Sequence, residues 1–422
     1  MLKTSLGRAA AVAVSMALGA AVLQAVLLAQ APQPRAGGEN PFPGGTNPDG
    51  SLRPTPPVTR LFTQDAYTEY ALLDPASQAF RIRFLPEETR AGATELVNAT
   101  RGGSAGSDIA VFDPRTGEPL KFTYEQAGGD ADSHAIHAQL PMPVPEGGIG
   151  RVLIEKTYAD SRTYTMHGED IVWVRSLSGY RLGVLLPKGF AFISSNVAAQ
   201  LTTTADGRLK LAFANPSGQS NPVTIHARKT TATPEPPAPA RSAGAAGVAA
   251  SSATADMFFD DVKTLYDLEA PGSVGERVRV EQIYSDYRKG ENARLDSLSY
   301  LALQDLTVID LDTAKPLPVA KMAAATVAKL ALPIVSDKQS AHLKLTGTLS
   351  GAGAGYRVEN GTLVFARTMH GLRNTVLLPA GWDVSAVSQS ATIGTYQGRA
   401  FVALINLNAE NTYNVAIRAR RR

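Results

Sequence analysis

The sequence predicts an all-β protein made of two tandem homologous antiparallel β-sandwich-like domains joined by a Pro/Ala-rich linker. Three observations carry that prediction. Apolar and polar residues alternate with period two in many short runs, the pattern of half-buried strands. Pro-x-Gly and Asp-Gly signals punctuate those runs, as tight turns require. A fifteen-residue stretch is also written twice: RSLSGYRLGVLLPKG at 175–189 returns as RTMHGLRNTVLLPAG at 367–381, identical at eight positions without a gap. Unrelated segments share about one such position by composition.

The chain opens on MLKTSLGRAAAVAVSMALGAAVLQAVLLAQA. Lys3 and Arg8 supply a positive start, Ala9 to Leu28 an apolar stretch, and Ala29 and Ala31 the small residues of a cleavage site, so residues 1–31 read as a secretory signal. The apolar stretch is about 20 residues, which also suffices to span a bilayer, so a retained anchor is the alternative. Both readings put the remaining chain in the periplasm or outside the cell, and the Ala- and Arg-rich leader suggests a bacterium. Residues 32–57 and 230–254 are rich in Pro, Ala, Gly and Ser with no hydrophobic period, so they read as a disordered lead and an inter-domain linker. They leave 58–229 and 255–422 as the two β-domains.

The repeat runs through both domains. GRLKLAFAN (207–215) lies over GRAFVALIN (398–406), TIHARK (224–229) over AIRARR (416–421), RIRF (81–84) over RVRV (277–280), and DPRTGEPL (113–120) over DLDTAKPL (310–317). Within FRIRF, Phe80, Ile82 and Phe84 face one way and Arg81 and Arg83 the other; in RLKLAF, Leu209, Leu211 and Phe213 oppose Arg208 and Lys210. Pro187 to Gly189 and Pro379 to Gly381 are tight turns, and DGR (206–208) and QGR (397–399) are hairpin tips. The Ala-rich VAKMAAATVAKLAL (319–332) has helical propensity. Its partner in the first copy, HAIHAQLPMPVP, is a strand-and-proline pattern, so the repeat argues for at most a short helical turn.

Composition excludes several function classes. The 422 residues include no cysteine, which removes disulfides, thiolate metal sites and thiol nucleophiles. Formal charge is +3, and loss of Lys3 and Arg8 with the leader leaves 3 − 2 = +1, too little to bind nucleic acid by bulk electrostatics. The terminal RARRR reads as a solvated tail, with contact to an anionic envelope polymer as the other reading.

The run YALLDPASQAFRIRF, then DIAVFDPRTGEPL, then LPMPVPEGGIGRVLIEKTY, between residues 70 and 158, resembles the amino-terminal β-domain of gluzincin-type zinc aminopeptidases. The resemblance covers about 90 residues per copy, is weaker in the second copy, and implies an accessory β-fold. No H-E-x-x-H occurs anywhere in the chain, so the family's zinc site and general base have no positions to map onto. The whole is also similar to exported bacterial proteins with tandem β-domains.

Motifs with possible chemistry reduce to structure. GGSAG (102–106) matches the nucleophile-elbow pattern around Ser104, but a strand-like SDIAVFD follows it and no Asp and His take the required roles, so a glycine-rich β-connection fits better. His134 and His137 of HAIH would share a helix face but diverge on a strand, and Asp130 and Asp132 open no complete calcium loop. GAGAG (351–355) lacks the spacing of a phosphate cradle, and Glu169 and Asp170 diverge on a strand. Trp173, over Phe365 of the other copy, is assigned to the core. Arg175 and Arg181 recur as Arg367 and Arg373, one on each side of a glycine turn. Their stems are expected to pack over the sheet and tie down loop carbonyls; contact with a polyanion or carboxylate is the functional alternative, and makes these four the candidate binding residues.

The resulting expectation is an exported, non-catalytic binding or scaffold protein of the cell envelope, with an envelope polymer or protein as partner and with no metal, cofactor or nucleic acid. Two weak sites on one chain would raise avidity. A hydrolase whose site joins residues distant in sequence, or an accessory subunit offering sheet edges to a protein partner, are the alternatives.

Overall fold

A computed structural model describes residues 66–422 apart from 101–105, 128–132, 178, 180, 205, 216–220, 231–261, 273–275, 287–293, 296–302, 322–325 and 407–411. The leader, the lead, the linker after Thr230, Ser104 and the aspartates at 130 and 132 lie outside the described residues. What is described is nearly all β, with only short 3-10 turns besides, and it divides into several separate sheets. No described helix is long and apolar enough to cross a membrane.

Fifteen described strands run from Ala66–Leu72 to Asn221–Lys229 and fifteen from Val262–Leu268 to Thr412–Arg421 in the same order, except that Gly150–Arg151 is a separate strand only in the first and Lys315–Pro316 a strand only in the second. In the first copy a large sheet runs Gln200–Thr203, Leu209–Ala214, Arg181–Leu185, Ala66–Leu72, Ala79–Glu88, Leu153–Ala159, Gly106–Phe112. A four-stranded sheet (Phe190–Ser195, Asn221–Lys229, Asp170–Leu177, Tyr164–His167) covers one end of one face. A three-stranded sheet (Glu95–Ala99, His134–Gln139, Phe122–Gln126) covers the other. Phe80, Ile82 and Tyr158 of the large sheet pack on Trp173 and Ile225 of the first cover, while Val111 and Ile154 pack on Leu96 and Ile136 of the second. Phe84 reaches both cores. The second copy repeats the arrangement, with Leu306 reaching both of its cores.

The pairing is antiparallel throughout except for one parallel pair per copy, Ala66–Leu72 with Arg181–Leu185 and Val262–Leu268 with Arg373–Leu377. A parallel neighbour needs a long crossover, and here more than a hundred residues of intervening sheet provide it. Turn chemistry accounts for the strand ends: Gly189 and Gly381 take φ of +81° and +79° in the Pro-x-Gly turns, where a side chain would be strained. The same bulge interrupts Gly106–Phe112 and Gln304–Asp310, with Asp108 and Asp305 at φ of 51° and 52°. The Ala-rich stretch is not helical: Val319–Lys321 and Thr326–Lys329 are strands of the second three-stranded sheet. Sheet pairing overrides propensity there.

The register corrects one detail of the sequence overlay. Leu72 faces Phe80, and its counterpart Leu268 faces Val278, so Arg81 corresponds to Arg279 and not to Arg277. The intervening hairpin is two residues longer in the second copy.

Pro54–Arg422, containing both copies, is one compact unit. Arg151 donates to both carboxylate oxygens of Asp312 at 2.7 and 2.5 Å and to Ser340 Oγ at 2.9 Å, all three residues buried. Lys338 pairs with the buried Glu155, and Arg83 donates to the Asp337 carbonyl. The contact is reciprocal: Ile149 N–H donates to Leu311 O (2.9 Å), and Ser340 N–H to Pro114 O (2.6 Å). Ala212 meets Leu372 in a small apolar patch, so the uncovered faces of the two large sheets turn toward each other here.

Candidate functional site

A cavity of about 330 Å3 opens in the first copy where the two covering sheets part. Its floor is the large sheet (Thr68, Tyr70, Ile82, Phe84, Lys156, Tyr158), one wall the end of Glu95–Ala99 and the next residue, and the other wall Arg175, Ser176 and the turn at Gly179. Alternation places its two cations. In the strand DIVWVRSL, Ile171, Trp173, Arg175 and Leu177 share the buried side, so Arg175 is an inward-facing arginine. In LIEKTYA, Ile154, Lys156 and Tyr158 do the same.

Arg175 is only 6% exposed. Its guanidinium carbon lies 5.1 Å from the centroid of the Phe80 ring and 5.6 Å from those of Tyr70 and Tyr158. Ring faces compensate a buried cation in part, by about 0.5–2 kcal/mol each, but Nη1 has no hydrogen-bond partner among the described residues. Lys156 Nζ sits 5.3 Å over the same Tyr158 ring and donates to Asn98 Oδ1 at 2.8 Å. Burial, and then the charge of Arg175, push the Lys156 ammonium down to about 8. Burial pushes the Tyr158 phenol up to about 12. No described residue lining the cavity is acidic, and the flanking sequences RGGSA (101–105) and SGY (178–180) hold no acid.

The other arginines lie elsewhere. Arg181 is on the opposite face of the large sheet, its guanidinium carbon 5.4 Å over Tyr67. Beside it Lys210 Nζ bonds Glu69 Oε2 at 2.8 Å. Burial acts to raise the Glu69 carboxyl, but Lys210, the Arg83 charge and the Tyr67 hydroxyl outweigh it and hold it below the usual range. Arg373 occupies the equivalent face, in register with Lys263. Arg367, the counterpart of Arg175, donates through Nη1 to Gly353 O at 2.7 Å, a loop carbonyl tied down by an arginine. The structure thus parts the four candidates and leaves Arg175 alone in the cavity.

The remaining motifs are structural. His134 stacks on Tyr124, and His137 lies 3.3 Å from Glu95 on the other side of the strand. Among the described residues no three His, Asp or Glu gather as a metal site. Asp170 starts a strand and pairs with Arg228. Trp173 and Phe365 are fully buried. A larger hollow of about 670 Å3 at the far end of the same domain has its charges in solvent or paired, Lys188 and Lys229 being exposed and Arg208 bonding Asp206 at 2.7 Å. Sequence reasoning passed over Lys156 altogether, although I-x-K-x-Y on an alternating strand signals an inward lysine.

No family model matches the chain, and no curated protein does. Among solved structures, the chain is a weak structural neighbour of an aminopeptidase N family protein from Idiomarina loihiensis, at 8% identity and a TM-score of 0.25. The match covers 38% of this chain and 29% of that one, so this chain spans less than a third of the neighbour's length.

Proposed function

We propose that this is an exported, non-catalytic binding protein whose ligand occupies the seam cavity of the first copy, with the second copy as its structural support. One observation carries the reading: a walled cavity of about 330 Å3, within the size range of small-molecule sites, holds a buried guanidinium that no acidic residue among the described lining neutralises. Stability alone gives no reason for such a group, because an unpaired buried charge costs several kcal/mol. Export rests on the leader-like first 31 residues. The buried contacts between the copies favour one site on a braced scaffold over two independent sites acting by avidity.

Thermal unfolding of the purified protein with a panel of envelope polysaccharides, peptidoglycan fragments, peptides and small organic acids tests the reading. A ligand at a hundred times its dissociation constant adds about 2.7 kcal/mol of stability. A clear upward shift of the midpoint with one class is expected. Unchanged midpoints across the whole panel would overturn it.

A further inference from the structure

We propose that the cavity takes a small organic acid, its carboxylate or phosphate headgroup held between Arg175 and Lys156 and its apolar body against Tyr70, Ile82 and Phe84. This deepens the binding reading above and rests on it. Charge is the first argument. Both cations lie over one ring, at 5.3 and 5.6 Å from the Tyr158 centroid, in a cavity with no acidic lining residue among those described. Two like charges brought together in low dielectric are each disfavoured, and an anion between them removes both penalties at once. Burial and the Arg175 charge already depress Lys156, and an anionic headgroup would act in the opposite sense.

Hydrogen-bonding capacity is the second argument. Arg175 Nη1 is buried without an acceptor among the described residues, and Lys156 uses one of its three donors on Asn98. Those are the donors that a planar carboxylate or a phosphate takes. An uncharged sugar would offer them only neutral acceptors and leave both charges in place. The third argument is the mixed lining. Thr68 and Thr100 add hydroxyl groups to the lining, while Tyr70, Ile82 and Phe84 give it an apolar and aromatic floor. A single headgroup on an apolar body fits such a lining; a long polyanion would need an open charged groove.

The second copy is the internal control. Where Lys156 stands in the first copy, the register puts Gly347 in the second, and Arg367 is spent on a carbonyl.

Isothermal titration of the whole protein with benzoate, phenyl phosphate and uncharged benzyl alcohol provides the test, on the wild type and on Arg175→Met, Lys156→Met and Arg367→Met. The anions are expected to bind at least about tenfold more tightly than benzyl alcohol. Arg175→Met should weaken them by roughly ten- to a hundredfold, as loss of a charge-assisted contact implies, with a smaller loss in Lys156→Met. Arg367→Met should leave their affinity unchanged. If Arg175→Met does not fold, Lys156→Met carries the test alone. Equal affinity for benzyl alcohol, or anion binding indifferent to both cavity variants, would overturn the acid assignment and leave the broader binding reading standing. No binding of any probe at millimolar concentration would overturn both.

Discussion

The two copies share one plan of a large sheet under two smaller covers, yet their described residues fill the seam between those covers differently. The difference comes down to an exchange of large for small at facing positions. In the first copy Gly106 is small, and a Cβ there would meet the Tyr158 ring at 3.2 Å; Lys156 and Tyr158 are large and define the floor. In the second copy Leu303 takes the place of Gly106 and packs over Gly347, which takes the place of Lys156. Gln282 replaces Phe84 and closes onto Thr264, donating at 2.9 Å. The duplicated scaffold therefore tolerates different fillings of the seam, and a few side chains at equivalent positions set them.

The comparison can be broken most severely at the joint between the copies. Arg151 and His342 occupy equivalent positions, facing Glu87 and Ser285 in their respective sheets. Only Arg151 makes a two-pronged bond to the other copy, on buried Asp312, whereas His342 stands 3.7 Å from Glu87. Truncation of one partner leaves the other charge buried and uncompensated. Arg151→Ala should therefore lower stability by about 3–5 kcal/mol, read as the midpoint and slope of urea unfolding. A loss below about 1 kcal/mol, within the range of an exposed pair, would mean that this joint does not hold the copies together.

Alkaline pH separates the two seams next. Lys156 titrates near 8 in the folded protein, because of burial and then Arg175, against an ordinary 10.5 in the unfolded chain. Between those values the unfolded state holds the proton and the folded state has released it, so stability rises with pH. From pH 8 to 10 the gain should reach about 2–3 kcal/mol. It then reverses, because burial holds Tyr158 and Tyr266 protonated up to about 12 in the folded state while the unfolded chain loses those protons from about 10. Urea unfolding at a series of pH values reads the curve. Lys156→Met should remove the rise and keep the reversal; a rise that persists in the variant would assign it to another group.

Much of the fold was legible because its signals are local. Alternation in FRIRF and DIVWVRSL, the glycines at positive φ and the fifteen-residue repeat need no tertiary information. What escaped the sequence is what alternation cannot carry. A two-residue slip returns every side chain to its own face, so RIRF lay plausibly over RVRV although the true partner of Arg81 is Arg279. Parallel and antiparallel neighbours also share the same period, so the central parallel pair was hidden. Part of the candidate cavity was readable. Arg175 was singled out through the repeat, and its inward phase follows from Trp173 two residues before it. Lys156 lies outside the repeated motif, and its meeting with Arg175 joins two sheets that no short stretch of sequence connects. The asymmetry between copies was invisible for the same reason: it depends on Leu303 and Gly347, which face each other only after pairing.

Those two residues give the sharpest small test of why the seams differ. An ideal Cβ at Gly347 would stand 2.9 Å from both the Gln304 carbonyl oxygen and Leu303 Cβ. One of those neighbours is backbone, so the strand itself must move to admit a methyl group. Gly347→Ala should therefore destabilise by about 1–3 kcal/mol through overpacking. The double variant Gly347→Ala/Leu303→Gly removes the Cβ clash but not the carbonyl contact, and should recover part of what the single variant loses once the cost of truncating Leu303 alone is subtracted. A double-mutant cycle by urea unfolding isolates that coupling, and its sign is decisive. Favourable coupling means Leu303 keeps position 347 small and the second seam closed. Strict additivity would mean that Gly347 is small for the carbonyl alone, and the closing of the second seam would then have to be sought in Gln282 and Thr264.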